Sequence, residues 1–413
     1  LQNIVILISK QMKYFRIWWQ VPRKYSKQED ERRVTFLELF YDLVYVVIIA
    51  ELAHSLSAHI NIEGFLQYAF LFLMVWWAWF NGAMYHDLHG NNDIKTRVMT
   101  FLQMMAVGTM AVFAHNAFGS GSIGFALSYG AFLLIITYLW WRTGVHEREH
   151  RPLSIPYSVT YLLAAILTIA SVFVDAPLRF YIWGFNLSII VLLPMVMMIT
   201  SRNNQVIKVQ FDRSATISNS MVERFGLLTI IVLGEVIVGV VQGVAGQHHF
   251  TLLNGVTGGL GMLIAIGIWW VYFDFISSHP PKKGVLAEAG WAYLHLPLYI
   301  CIASVGAAVM NVINAPGDSI ALNARILLSA SVSISLLSIS FIHKTIQIPQ
   351  QYQRIHKLPG RTIFFAALLV LIPGLFEMNT ILFLSITIII ILAPIFFGVR
   401  LWVKVQVNDK DFQ

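Results

Sequence analysis

Glu38-Leu-Phe-Tyr-Asp42-Leu-Val-Tyr-Val46, running on through Ile48 and Ile49 to Glu51-Leu-Ala-His54, is an apolar stretch that carries three carboxylates. About 20 mostly apolar residues are enough for a helix to cross the hydrocarbon layer of a bilayer. A carboxylate inside such a helix costs several kcal/mol or is forced to take up a proton, so it marks a functional site by default. A second stretch has the same build. It starts at Glu223-Arg224-Phe225-Gly226 and runs through Ile230, Ile231 and Leu233 to Glu235. Each stretch has one acid near its start and another well inside, and each opens one half of the chain.

Composition agrees with a membrane-embedded chain. Of the 413 residues 57% are hydrophobic and only 12% are charged, where an ordinary soluble domain carries about 25% charged residues. Apolar runs of transmembrane length recur along the sequence, from 36–58 to 380–402, and predict about twelve helices. They are continuous, unlike the alternating ten-residue segments of a membrane β-barrel. The expected fold is therefore all-α and polytopic.

The basic residues set an orientation. Of the 28 Lys and Arg, all but Arg179, Arg224 and Arg325 fall in segments that share one side when the amino terminus is inside. Positive residues collect on the cytoplasmic side of membrane proteins. Both termini are thus expected in the cytoplasm, in a bacterial inner membrane, and the formal charge of +7 reads as a topology signal and not as a nucleic-acid footprint. Residues 1–35 alternate Lys10, Lys13 and Arg16 with Phe15, Trp18 and Trp19, the pattern of a helix lying in the interface. No small-residue cleavage site marks a removable leader. The lone Cys301 offers neither a disulfide nor a thiolate metal site.

An internal repeat orders the helices. Trp76-Trp77-Ala-Trp79-Phe80 is echoed by Trp269-Trp270-Val-Tyr272-Phe273, with Asn81 matching Asp274 and His86 matching His279. One helix later Phe101-Leu102-Gln103 matches Tyr293-Leu294-His295. Six helices separate the copies, which predicts a parallel repeat about an axis along the membrane normal. The expected organisation is an interfacial segment at 1–35, six-helix repeats at 36–200 and 221–402, a cytoplasmic linker at 201–220 and a cytoplasmic tail at 403–413.

These residues resemble those of the bacterial low temperature requirement A (LtrA) proteins. The likeness rests on Leu37 to Val46, on Glu223-Arg224-Phe225-Gly226-Leu227 running to Leu233-Gly234-Glu235, on the tryptophan-rich second helix and on Tyr293-Leu294-His295-Leu296-Pro297. It covers residues 33 to 313. The family is named for growth in the cold, which implies a phenotype and carries no catalytic residues with it.

Two groups of residues are candidates for chemistry. Glu51 lies thirteen residues after Glu38 and Glu235 lies twelve after Glu223, or about 20 Å deeper along each helix. Two carboxylates at that depth lose hydration and repel each other, which favours holding a proton that can be released near neutral pH. His54 and His295 are candidate relays beside them. The second group gathers at the inner helix ends: Glu38, Asp42, His86, Asp87, Glu223, Arg224, Asp274 and His279. Glu38 and Asp42, four apart, share a helix face, and the whole group reads as a latch or a gate. The His and Asp residues of this inner group are scattered, with neither a His-x-x-x-His nor a Glu-x-x-His spacing among them, so no metal is expected.

No phosphate-binding Gly-x-x-x-x-Gly-Lys-Ser/Thr loop is present, and no cofactor is expected. The reading is a secondary transporter of a small molecule or ion, with proton coupling as the chemistry that paired carboxylates offer. An enzyme acting on lipid or isoprenoid headgroups, and a channel, sensor or structural membrane protein, are the alternatives. The expected partners are the lipid bilayer and the substrate, with no nucleic acid; assembly as a homo-oligomer is compatible with the sequence.

Overall fold

The computed structural model describes residues 20–23, 32–91, 93–201, 204–247, 251–277, 279–314, 320–348 and 353–410. The interfacial helix expected around residues 4–19 lies outside them.

Every regular element among the described residues is a helix, apart from an isolated bridge between Pro281 and Ile346. In chain order they are α1 (Phe36–Ala58), α2 (Ile62–His89), α3 (Ile94–Ala114), α4 (Ser122–His146), α5 (Arg151–Ala170) and α6 (Leu178–Ser201). A short α7 (Gln205–Ala215) occupies the stretch read as a linker. Then follow α8 (Asn219–Ala245), α9 (Leu252–Tyr272, prolonged by a π turn over Phe273–Ser277), α10 (Val285–Ile313) and α11 (Leu322–Thr345). α12 (Gln353–Leu369), α13 (Leu371–Leu375) and α14 (Thr380–Lys410) complete the chain. Eleven helical segments among the described residues are long and apolar enough to cross a membrane. α1, with its 23 residues and three carboxylates, stands beside these eleven. The chain is thus an all-α polytopic membrane protein, and the crowded turn at Pro373, Glu377 and Asn379 separates two spans, Leu358–Leu375 and Thr380–Leu401.

The chain divides into two compact units. One holds the residues up to Ile48 with Met74–Met221; the other holds Ile49–Leu73 with Val222 onward. The boundary therefore falls inside α1 and again inside α2. Within the first unit α4 packs along α3 and α5, and α5 along α6. Within the second, α10 packs along α11, α9 along α14, and α11 along α12 and α13.

Two of the arginines that break the charge pattern are consumed by helix ends. The last carbonyls of a helix have no partner within it and need donors from elsewhere. Arg179, buried, donates through Nε to the carbonyls of Ser171 and Val174, both at 3.1 Å, just past the end of α5. Arg325 donates through Nη1 to the carbonyl of Phe376 at 2.9 Å, just past α13. Their place in the fold is local capping.

The tryptophan pairs part company. Trp76, Trp77 and Trp79 are buried, and Trp76 stacks on Phe80 with ring centres 5.1 Å apart. Trp269 and Trp270 are exposed on α9, where Trp270 Nε1 donates to Asp274 at 2.6 Å.

Candidate functional site

In the second unit, three helices enclose a partly open cavity of about 240 Å³. α1 contributes Glu51, His54 and Ser57; α8 contributes Glu235, Gly239 and Gln242; α10 contributes Gly306, Ala307 and Met310. Glycine makes this meeting of helices possible. A Cβ on Gly239 would lie 2.2 Å from the Gly306 carbonyl oxygen, and one on Gly306 would lie 2.5 Å from the Glu235 carbonyl oxygen. The backbones of α8 and α10 therefore touch at the level of Glu235, as small residues permit between membrane helices. Asn311 Nδ2 donates to the Ser57 carbonyl at 3.0 Å and fixes the end of α1 against α10.

Glu235 is 6% exposed, and Glu51 is half-buried. Neither carboxylate has a hydrogen-bond donor or a cation among the described residues, although the two are close enough to repel each other. No Lys, Arg, Phe, Tyr or Trp lines the cavity among the described residues. Glu51, His54 and Glu235, all singled out in the sequence, line this one cavity. His295 is elsewhere. It is fully buried on α10, eleven residues before Gly306 and so about 16 Å along the helix. Its Nε2 meets the Tyr272 hydroxyl at 3.0 Å and its Nδ1 the Trp291 carbonyl at 2.8 Å. The Phe225 and Trp291 rings pack against it at 4.8 and 4.4 Å. An imidazole with both nitrogens engaged inside an aromatic cage has the features of a packing residue.

The first unit holds a second cavity, of about 220 Å³, beside the start of α1. Thr35 and Glu38 form a capping box: the Thr35 N–H donates to Glu38 Oε2 at 2.9 Å, and the Glu38 N–H donates to Thr35 Oγ1 at 3.3 Å. Satisfying the free amides of a helix start in this way is the usual work of such a Thr-x-x-Glu. Arg32 then bridges two acids, Glu38 Oε1 at 2.6 Å and Asp87 Oδ1 at 3.1 Å. Asp87 also accepts from the Ser220 hydroxyl, and its carbonyl accepts from Arg23. Asp42, 1% exposed, accepts from Trp79 Nε1 at 2.7 Å. His86 Nε2 meets Gln103 Oε1 at 3.0 Å.

Four of the inner residues, Glu38, Asp42, His86 and Asp87, are therefore buried together in the first unit. The other four belong to the second: Arg224 is buried and His279 half-buried, while Glu223 and Asp274 are exposed and join no buried cluster there. Arg32, Thr35 and the short stretch Gln20–Arg23 were not singled out by the sequence. Gln20 N–H donates to Asp93 Oδ2 at 3.0 Å, and Arg23 N–H donates to the His89 carbonyl at 3.2 Å. The Thr35-x-x-Glu38 spacing was the one signal that pointed there.

Helices all round, apolar outer faces and carboxylates in the middle of two of those helices define an integral membrane protein with an internal polar site. The chain matches the family described as "Bacterial low temperature requirement A protein (LtrA)" over residues 33–396 and belongs to it. It is also similar to a protein of Rhizobium meliloti (strain 1021) described as uncharacterized, with 27% identity over 301 residues, which cover 66% of this chain and 68% of the other.

Proposed function

We propose that this LtrA protein is a secondary transporter of a small solute, coupled to protons through Glu51 and Glu235. One observation carries the reading: both acids line a single partly open cavity, and no cation among the described residues pairs with them. Two carboxylates that face one poorly solvated space repel each other when both are charged, which favours uptake of a proton or a cation between them. Such a pair releases its proton when a solute or water changes its surroundings, which is the elementary step of ion coupling. The three helices around it each contribute through small residues, so a shift of α8 against α10 alters the cavity without breaking a dense core.

The inner network of Arg32, Glu38 and Asp87 supports the role of a latch. Both of its carboxylates are already engaged by the one Arg32 guanidinium, as expected of a device that holds a closed state and not of a cargo site. The echo between Trp76–Phe80 and Trp269–Phe273 supports duplication of a six-helix half, and the distribution of Lys and Arg supports cytoplasmic termini in a bacterial inner membrane.

The test is flux in proteoliposomes. The purified chain is reconstituted with an internal pH dye, a proton gradient is imposed, and small solutes are added in turn. Proton movement that requires both a solute and the two acids is expected, and Glu51→Gln or Glu235→Gln should abolish it. Proton movement unchanged in both variants, or none with any solute, sinks the reading.

A further inference from the structure

We infer that the cavity between α1, α8 and α10 binds a small alkylammonium ion, held by Glu51 and Glu235 in exchange for a proton; this rests on the transporter reading above. The charged groups lining the space are two carboxylates, with His54 as the other titratable group. An anionic solute would meet repulsion with no guanidinium or ammonium to offset it. Glu235 is more than nine-tenths buried, faces the cavity and has no hydrogen-bond donor among the described residues. A buried carboxylate left in that condition is costly unless a ligand or a proton satisfies it.

The walls narrow the class of cation. His54 and the two acids do not converge as a set of metal ligands; among the described residues no three His, Cys, Asp or Glu side chains do. A quaternary ammonium is recognised by the faces of Trp, Tyr or Phe, and none of these lines the cavity among the described residues. A primary ammonium has three N–H donors, enough to reach both carboxylates, with one left for Gln242. Val238, Ala307 and Met310 supply apolar surface for a short alkyl chain. About 240 Å³ suits a cation of a few carbons, near the lower end of the range for ligand pockets.

The exchange balances in charge and atoms. The empty pair holds one proton; the entering R–NH₃⁺ takes the place of that proton, which leaves to water, and the occupied site has the same net charge as before. The cation and the proton compete for the same oxygens, which makes the coupling an exchange.

Isothermal titration of the full-length protein in detergent tests this, with n-butylammonium chloride, sodium butyrate, 1-butanol and tetramethylammonium chloride as probes. Running each titration in buffers of different ionisation enthalpy counts the protons released. We expect n-butylammonium to bind with release of up to one proton, tightening by up to tenfold per pH unit while the pair is protonated. Glu51→Gln and Glu235→Gln should each weaken it at least tenfold at an unchanged melting temperature. Butyrate or butanol binding as well as n-butylammonium, tetramethylammonium binding better, or no binding of n-butylammonium to the folded wild type overturns the inference. Proton-coupled flux of an anion would leave the transporter reading standing and this inference lost. Binding without any flux would do the opposite.

Discussion

Glu51 on α1 and Glu235 on α8 face one cavity from different helices, and neither carboxylate has a partner among the described residues. An arrangement that served stability alone would pair at least one of them, because an unpaired buried charge is among the most expensive features a fold carries. Glu235→Gln keeps the shape and removes the charge. The variant is expected to melt at or above the wild-type temperature while it loses solute-dependent proton flux. A variant that melts several degrees lower would show the carboxylate to be a structural strut.

The contact of α8 with α10 sets a second expectation. Replacing a helical glycine with alanine ordinarily stabilises by about 0.5–1 kcal/mol. At Gly306 the new Cβ would sit 2.5 Å from the Glu235 carbonyl oxygen, and backbone cannot swing aside as a side chain can. Overpacking of that kind costs about 1–3 kcal/mol, so the clash wins. Gly259 on α9 is the control, since a Cβ there meets nothing within 4 Å. Thermal melts in detergent should therefore move in opposite directions, down for Gly306→Ala and slightly up for Gly259→Ala.

How much of this could be read from the chain depends on the kind of signal each residue sends. Glu51 and Glu235 stand out because a charge in a long apolar run is rare and costly. The spans are legible for the same reason, since length and apolarity are properties of the segment itself. Rotation about the helix axis is not legible where a helix is apolar on nearly every face, because no stripe marks the inward side. Glu223 and Arg224 are neighbours in sequence, yet one is exposed and the other buried. Asp274 fails in the same way: it is exposed, and nothing in the sequence gives its direction. Arg32 is hidden for a different reason. It stands among eight Lys and Arg that precede α1, and nothing local distinguishes the one that reaches both Glu38 and Asp87.

Arg32 offers a sharp energetic test. Its guanidinium bridges two side chains that are 6% and 4% exposed. Removing the cation leaves two buried carboxylates without it, and breaking a buried pair costs about 3–5 kcal/mol. Arg32 itself keeps 19% of its side chain exposed, so water softens the loss and about 2–3 kcal/mol is expected for Arg32→Met. Adding Asp87→Asn should return part of that loss. A double-mutant cycle by chemical denaturation measures the coupling, with about 0.5–3 kcal/mol expected for groups in contact. Additive effects would mean that the bridge contributes nothing to the fold.

His279 follows the π turn that ends α9 and lies outside the apolar span. Burial holds its imidazole below the ordinary value of 6.5, because losing water penalises the charged form. The folded protein therefore favours neutral His279, while the unfolded chain takes up a proton as soon as the pH falls through about 6.5. Its contribution to stability is present above that value and is lost as the pH drops toward the depressed folded value. Melting temperatures at pH 7.5 and 5.5 should differ more for the wild type than for His279→Asn, which has no proton to bind. Because the residue keeps partial contact with solvent, the difference should be small, a degree or so on the scale on which 1 kcal/mol moves a domain of 150–250 residues by about 2–4 °C. An equal or larger pH response in His279→Asn would show that other groups govern acid sensitivity at this end of the protein.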